Sequence, residues 1–97
     1  MDAPPIPAVA TVGLTRLYGN ITALNSLDLT INQGDLFGFI GSNGAGKTTT
    51  LRILATFLAP SAGTATILGH DVVREADAVR SLLVDVHLGR HAGLAQR

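Results

Sequence analysis

The 97-residue sequence has no cysteine, and its charged residues balance to a net charge of zero. Without cysteine there is neither a disulfide framework nor a thiolate metal site, which is typical of a protein of the reducing cytoplasm. Without an excess of positive charge there is no basic stripe to hold a nucleic-acid backbone. We therefore expect a cytoplasmic protein with no nucleic-acid partner.

The sequence also lacks an export signal and a long apolar run. Met1–Pro7 carries an acidic residue where a secretion signal would carry positive charge, and its prolines oppose a helix. No apolar run is long enough to cross a bilayer. We expect no direct membrane insertion, so any membrane association would come through a partner subunit.

Lysine occurs only once, as Lys47, within the segment GSNGAGKT at residues 41–48. This segment is a full match to GxxxxGK[ST], the phosphate-binding P-loop. Its glycines let successive backbone N–H groups point into one concavity, the lysine ammonium reaches the outer phosphates, and the hydroxyl of Thr48 helps hold Mg²⁺. The segment therefore predicts a site for the phosphate tail of a nucleotide.

The flanking segments supply the context that this motif requires. Residues 36–40 form an apolar run of strand length, typical of a strand buried in a parallel sheet. Residues 47–58 predict a helix that ends before Pro60, and its start would direct free N–H groups and the positive end of its dipole toward the anion. The predicted buried stripe of this helix consists of Leu51, Ile53, Leu54, Ala55, Phe57 and Leu58.

Further elements are predicted on both sides of the P-loop. Alternation of Ala10, Val12 and Leu14 with small or polar residues predicts a strand over 10–18 that ends at a turn. The remaining predicted elements are a turn at 19–20, a strand at 27–31, turns at 32–35 and 60–63, a strand at 64–68 and a helix at 76–83. Residues 82–86 fit either a helix or a strand.

A second chemical signal is Tyr18, followed by Gly19, well upstream of the P-loop. With the segments 34–41, 60–64 and 68–72, this pair makes residues 14–80 resemble the N-terminal part of an ATP-binding cassette domain, the ATPase subunit of ABC transporters. The nearest likeness is to cassettes that serve drug and other export systems. In that family an aromatic residue at this place stacks on adenine; the alternative is a tyrosine that only caps a strand end.

The resemblance implies binding of ATP and Mg²⁺. The implied ATP-binding residues are Tyr18, Ser42, Asn43, Gly44, Ala45, Gly46, Lys47, Thr48 and Thr49. The N–H groups of residues 42–46 would wrap the β- and γ-phosphates. Lys47, the implied catalytic residue, would pair with the oxygens of the same phosphates. Thr48 would ligate Mg²⁺, and Thr49 would reach the α-phosphate.

The resemblance implies an α/β fold. This fold would be the N-terminal portion of an ABC-type P-loop NTPase, with an incomplete sheet. It would contain an antiparallel β subdomain and the P-loop strand and helix of the RecA-like core. We expect a flexible proline-rich tail over residues 1–9, a partial ATP-binding domain over 10–86 and a non-family tail over 87–97. Because neighbours of strand 36–40 are lacking, we expect marginal stability and association of the isolated chain.

Several family features cannot be placed in this sequence: the glutamine that senses Mg²⁺, the LSGGQ signature, the Walker B aspartate with its glutamate, and the switch histidine. Leu88 falls where that glutamine is expected. We therefore expect a truncated chain, or one shifted in reading frame near Leu83. In the intact family member, two cassettes would sandwich ATP and drive a membrane permease at the cytoplasmic face of the membrane; this chain alone would hydrolyse ATP negligibly.

Two weaker patterns near the end are interpreted as structural. Asp85 follows an apolar run as a Walker B aspartate would, but Val86 follows it instead of an acid, so we interpret Asp85 as a solvated strand-end residue. His87 and His91 lack the glutamate of an HExxH zinc site. His70 is assigned to a turn.

Two other functions are open at this stage. One is a small P-loop kinase or GTPase, which would need a guanine-reading NKxD motif or a phosphate-acceptor lid, and neither is present in the sequence. The other is a non-catalytic product of a broken reading frame.

Overall fold

A computed structural model describes residues 6–35 and 47–87. The predicted strand at 36–40, residues 41–46 of the P-loop and residues 88–97 lie outside the described residues. The elements are β1 (Val9–Tyr18), β2 (Ile21–Ile31), α1 (Lys47–Leu54), β3 (Ala62–Ile67), β4 (His70–Asp71) and α2 (Ala76–His87). The described strands form one antiparallel sheet in the order β2-β1-β3-β4. The predicted α/β class, with an antiparallel β portion and a P-loop helix, is confirmed.

A tight hairpin joins β1 to β2. Tyr18 pairs with Ile21, so Gly19 and Asn20 are the two residues of the turn. Gly19 has a φ of 58°, and a positive φ at the first central position is the pattern of a type II′ turn, which favours glycine there. The predicted turn is confirmed. The strand after it begins at Ile21, six residues before the predicted start at residue 27.

The predicted inward face of β1 is wrong at Val12. Val12 is 67% exposed, whereas Val9, Thr11 and Leu14 are buried. The reason is a β-bulge: Gly13 has a φ of 59°, and the register shifts between Thr11 and Leu14. The buried Thr11 hydroxyl donates to the Leu27 carbonyl over 2.9 Å, so its burial leaves no unpaired hydroxyl.

Helix α1 is shorter than predicted, and one residue of its predicted buried stripe lies in solvent. The helix ends at Leu54 instead of residue 58, and Thr56 has a φ of 68°, which turns the chain away from the helical path. Phe57 is consequently 82% exposed. Ile53 and Leu54 are buried, and they anchor the helix in the core.

Helix α2 continues through residues 82–86, so these residues are helical and do not form a strand. Asp85 is therefore a helical residue, and its interpretation as a strand-end aspartate is wrong. His70 belongs to the two-residue strand β4 rather than to a turn, although the turn at Leu68–Gly69 immediately precedes it.

Among the described residues, one hydrophobic core joins the sheet to both helices. Its buried members are Ala8, Val9, Leu14, Leu24, Ile31, Ile53, Leu54, Ala65, Ile67, Val72 and Val79. Because this cluster includes residues of every strand except the short β4, and of both helices, burial of apolar surface holds the elements together. Over the described ranges 6–35 and 47–87, neither helix is both long enough and apolar enough to span a membrane.

Candidate nucleotide site

The start of α1 carries three of the predicted nucleotide-binding residues. Lys47 is the first residue of the helix and is half-buried; Thr48, the second, is exposed, and Thr49, the third, is half-buried. The free N–H groups of a helix start and the positive end of its dipole favour an anion at this position. No acidic residue stands in the first turn, and Arg52 lies in the last turn, so the side chains do not oppose this polarity.

Tyr18 ends β1 at the hairpin turn and retains 42% exposure. The guanidinium carbon of Arg16 lies 4.9 Å from the centroid of the Tyr18 ring. This separation is within the range of a cation–π contact. Arginine thus covers part of the ring, and the exposed remainder is a flat surface of the kind on which a base can stack. The position also fits the alternative role of Tyr18 at a strand end.

Three hydrogen bonds tie the end of β1 to the segment that follows α1. Arg16 Nη1 donates to the Ala59 carbonyl over 2.6 Å. The Leu17 N–H donates to Ser61 Oγ over 3.0 Å, and the Ser61 N–H donates to the Thr15 carbonyl over 2.7 Å. The strand that carries Tyr18 is therefore attached to the segment leading out of the helix that Lys47 begins.

Part of the predicted site can be located and part cannot. Tyr18, Lys47, Thr48 and Thr49 are located as above, whereas residues 42–46 lie outside the described residues. The sequence interpretation assigned no role to Arg16. Its position two residues before Tyr18 on the same strand is the signal that could have indicated a contact between them.

A cluster of His70, Asp71 and Glu75 is explained by helix capping. Asp71 Oδ1 accepts from the N–H groups of Val73 and Arg74 over 2.8 and 2.9 Å. Glu75 Oε1 accepts from the Asp71 N–H over 3.2 Å, and Glu75 Oε2 lies 2.8 Å from His70 Nδ1. These contacts satisfy backbone donors at the turn that leads into α2.

The same contacts lower two pKa values. The hydrogen bond from the Arg74 N–H is the main cause that holds the pKa of Asp71 below its ordinary value of 3.8. The hydrogen bond with His70 is the main cause that holds the pKa of Glu75 below its ordinary 4.5. Both shifts favour the ionised carboxylates that accept from the backbone.

No cluster of metal ligands is found within residues 6–35 and 47–87. A cavity of about 200 Å³ lies beside β3, lined by Pro60, Gly63, Thr64, Ala65, Asp71, Val73 and Arg74. Of the predicted nucleotide-binding residues that the structure describes, Tyr18 and residues 47–49, none lines it. This cavity is therefore separate from Tyr18 and from the first turn of α1.

The α/β architecture and the helix that begins within GSNGAGKT define a P-loop protein. Comparison with known families extends this result: the ABC transporter family model matches residues 24–91, more than half of the chain. The chain belongs to the ABC transporter family.

Individual relatives agree with this assignment. The chain is 48% identical over 80 residues to the daunorubicin/doxorubicin resistance ATP-binding protein DrrA of Streptomyces peucetius, covering 82% of this chain and 24% of that protein. It is 49% identical over 87 residues to the daunorubicin resistance ATP-binding protein DrrA3 of Streptomyces coeruleorubidus, covering 90% and 27%. It is 41% identical over 63 residues to the bacitracin transport ATP-binding protein BcrA of Bacillus licheniformis, covering 65% and 21%. The chain thus spans about a quarter of the length of these relatives.

Proposed function

We propose that this chain binds MgATP, with the phosphates at the start of α1 and the adenine against Tyr18. The observation that carries the proposal is the location of Lys47, Thr48 and Thr49 in the first turn of a helix that has no acidic residue there. Such a turn offers N–H groups, hydroxyls and an ammonium to an anion. Membership of the ABC transporter family supports ATP as the nucleotide.

The residues have distinct proposed roles within this site. Lys47 pairs with the outer phosphate oxygens. The β- and γ-phosphates are surrounded by the N–H groups of Ser42, Asn43, Gly44, Ala45 and Gly46. Thr49 reaches the α-phosphate. The Thr48 hydroxyl is a hard oxygen donor of the type that Mg²⁺ accepts, and the metal when bound would neutralise phosphate charge. We assign this function to the domain predicted over residues 10–86.

The wider function is proposed from the relatives. The proteins to which the chain is similar are named for drug resistance and bacitracin transport, so we propose that the intact transporter exports its substrate. Its cassettes would work in pairs on a membrane permease at the cytoplasmic face of the membrane. The chain itself contains no LSGGQ signature and no catalytic glutamate at a Walker B motif. We therefore propose that these 97 residues bind ATP but release phosphate only negligibly.

Calorimetric titration of the 97-residue chain with ATP and GTP, each with and without Mg²⁺, tests the proposal. We expect ATP to bind better than GTP, and Mg²⁺ to strengthen binding. Lys47→Ala should weaken ATP binding by about tenfold or more, because it removes a charged partner of the phosphates. Arg74→Ala is the matched control, since Arg74 is an exposed cation outside the predicted site.

Tyr18 provides a second readout because the chain has one tyrosine and no tryptophan. ATP should change the tyrosine fluorescence if adenine stacks on the ring. ATP binding that leaves this emission unchanged would contradict the role of Tyr18, and binding unaffected by Lys47→Ala would contradict the phosphate site. A preference for GTP would favour the alternative of a GTPase. Steady phosphate release that depends on Lys47 would contradict the proposed lack of hydrolysis.

A further inference from the structure

We propose that Arg16 is a positioning residue for Tyr18 and holds the ring in the orientation that receives the base. The inference rests on the proposed function, since it gives a role in ATP binding to a residue beside the proposed base-binding ring. It assigns no contact between Arg16 and the nucleotide itself.

The geometry gives Arg16 two partners. One residue separates Arg16 from Tyr18 in β1, and the guanidinium carbon lies 4.9 Å from the ring centroid. At its other side, Arg16 Nη1 donates to the Ala59 carbonyl over 2.6 Å. The guanidinium is thus fixed on the segment after α1, and the Tyr18 ring lies against a fixed group.

One nitrogen of the guanidinium, Nε, makes no hydrogen bond to the described residues. Nε of Arg16 is buried and has no hydrogen-bond partner in the part of the chain that the structure describes. A buried donor without a partner destabilises the folded state. Hydrogen bonding at Nε therefore does not explain why the side chain lies here, whereas the bond to Ala59 and the contact with Tyr18 do.

A fixed ring binds a base better than a mobile one. Tyr18 is exposed at a strand end, where an unsupported side chain would exchange between rotamers, and ordering it on binding would cost free energy. Arg16 removes part of that cost in advance. A planar guanidinium can lie flat on an aromatic ring, which the compact lysine ammonium cannot do. Arg16 increases the affinity only for a ligand whose base stacks on Tyr18. The affinity for a ligand that has phosphates but no base should therefore not depend on Arg16.

This difference between ligands defines the experiment. Dissociation constants of MgATP and of inorganic triphosphate with Mg²⁺ are measured by calorimetry for the wild-type chain, Arg16→Gln, Tyr18→Leu and the double variant. Arg16→Gln should weaken ATP binding by about two- to fivefold, the size expected for an exposed cation–π contact. It should leave triphosphate binding unchanged, and it should have no further effect once Tyr18→Leu is present. Arg74→Gln, at an exposed arginine elsewhere, should bind both ligands as the wild type does.

An equal loss for ATP and triphosphate would overturn the inference, since it would show a general structural role or a phosphate contact. So would the same loss in the Tyr18→Leu background. ATP binding by Arg16→Gln equal to that of the wild type overturns this inference alone. A wild-type chain that binds neither ligand overturns the proposed function and the inference with it.

A measurement on folded wild-type protein covers the case in which Arg16→Gln fails to fold. In the NMR spectrum, Arg16 side-chain protons over the ring face should be shifted upfield, and Tyr18→Leu should return them to ordinary positions. Shifts that are the same with and without the ring would overturn the inference.

Discussion

The backbone of Gly63 in β3 lies so close to that of Gly13 in β1 that a Cβ on Gly63 would lie 2.2 Å from the Gly13 carbonyl oxygen. Both residues have positive φ, 80° for Gly63 and 59° for Gly13. The approach occurs at the bulge between the pairs Val12–Thr64 and Thr15–Ala62. Since the neighbouring atoms are backbone, they cannot move aside as a flexible side chain would.

Gly63→Ala should therefore destabilise the chain by about 2–4 kcal/mol, from an unfavourable φ together with a steric clash. Gly19→Ala is the matched control, because Gly19 also has a positive φ of 58° but no atom within 4 Å of an added Cβ. That variant should lose only about 1–2 kcal/mol. Urea unfolding monitored by circular dichroism measures both. Equal losses in the two variants would contradict the close approach.

The caps of α2 make stability depend on pH in the acid range. The pKa values of Asp71 and Glu75 are lowered in the folded chain, so the unfolded chain takes up their protons first as the pH falls. The stabilisation is complete above the ordinary values of 3.8 and 4.5 and is lost as the pH drops through the lowered pKa values of the folded state. The free energy of unfolding should therefore fall below about pH 4.5.

Asp71→Asn should make this fall shallower, and a double variant with Glu75→Gln should make it shallower still. Replacing Asp71 by Ala should cost about 0.5–2 kcal/mol at pH 7, as expected for loss of a side chain that accepts from two N–H groups at a helix start. Denaturant unfolding between pH 3 and pH 7 gives the comparison. A curve for Asp71→Asn that runs parallel to that of the wild type would show that Asp71 makes no contribution.

Ile53 and Phe57 should respond to truncation in opposite ways, although both were predicted in the buried stripe. Ile53 is fully buried between α1 and the sheet, so Ile53→Ala should destabilise by about 2–5 kcal/mol. Phe57 is 82% exposed, and Phe57→Ser should change the free energy of unfolding by less than about 0.5 kcal/mol. Thermal unfolding of the two variants checks this. A large loss for Phe57→Ser would show that the ring is buried in solution.

The ring of Tyr18 should distinguish ATP from inorganic triphosphate. Tyr18→Leu should reduce the affinity for ATP by about 1–3 kcal/mol, the range for stacking of one base, and leave triphosphate binding unchanged. Tyr18→Phe keeps the aromatic face and serves as the matched control, so it should retain most of the affinity. If Tyr18→Leu binds ATP as tightly as the wild type, Tyr18 has only its role at the strand end.

The sequence predicted the elements better than it predicted the faces that they bury. The β1 strand, the hairpin turn at Gly19, the start of α1 and the later helix follow from alternation, glycine and apolar spacing. Leu27, Leu29 and Ile31 are more buried than Asp28 and Thr30, as the alternation indicated. These features are local, so a short window of sequence contains the information.

The failures have a common physical cause. A positive φ at Gly13 reverses the alternation in β1 and exposes Val12, and a positive φ at Thr56 takes Phe57 off the helix face. Periodicity assumes regular backbone, and it cannot show where one residue leaves the regular path. The contact of Arg16 with Ala59 could not be predicted from local sequence either, because it joins residues 43 positions apart. In the candidate site, the motif identified the residue types. It did not indicate the hydrogen bond to Ala59 that holds Arg16 against the Tyr18 ring.

The three bonds between residues 15–17 and 59–61 have a consequence for ligand choice. They attach the strand bearing the aromatic ring to the segment that follows α1. In the proposed binding mode, the ring and the start of α1 would then keep a set separation before any nucleotide arrives. A ligand can then use both ends only if its own span matches that separation. The mono-, di- and triphosphates of adenosine differ in span, and a rigid separation of this kind would sort them by length.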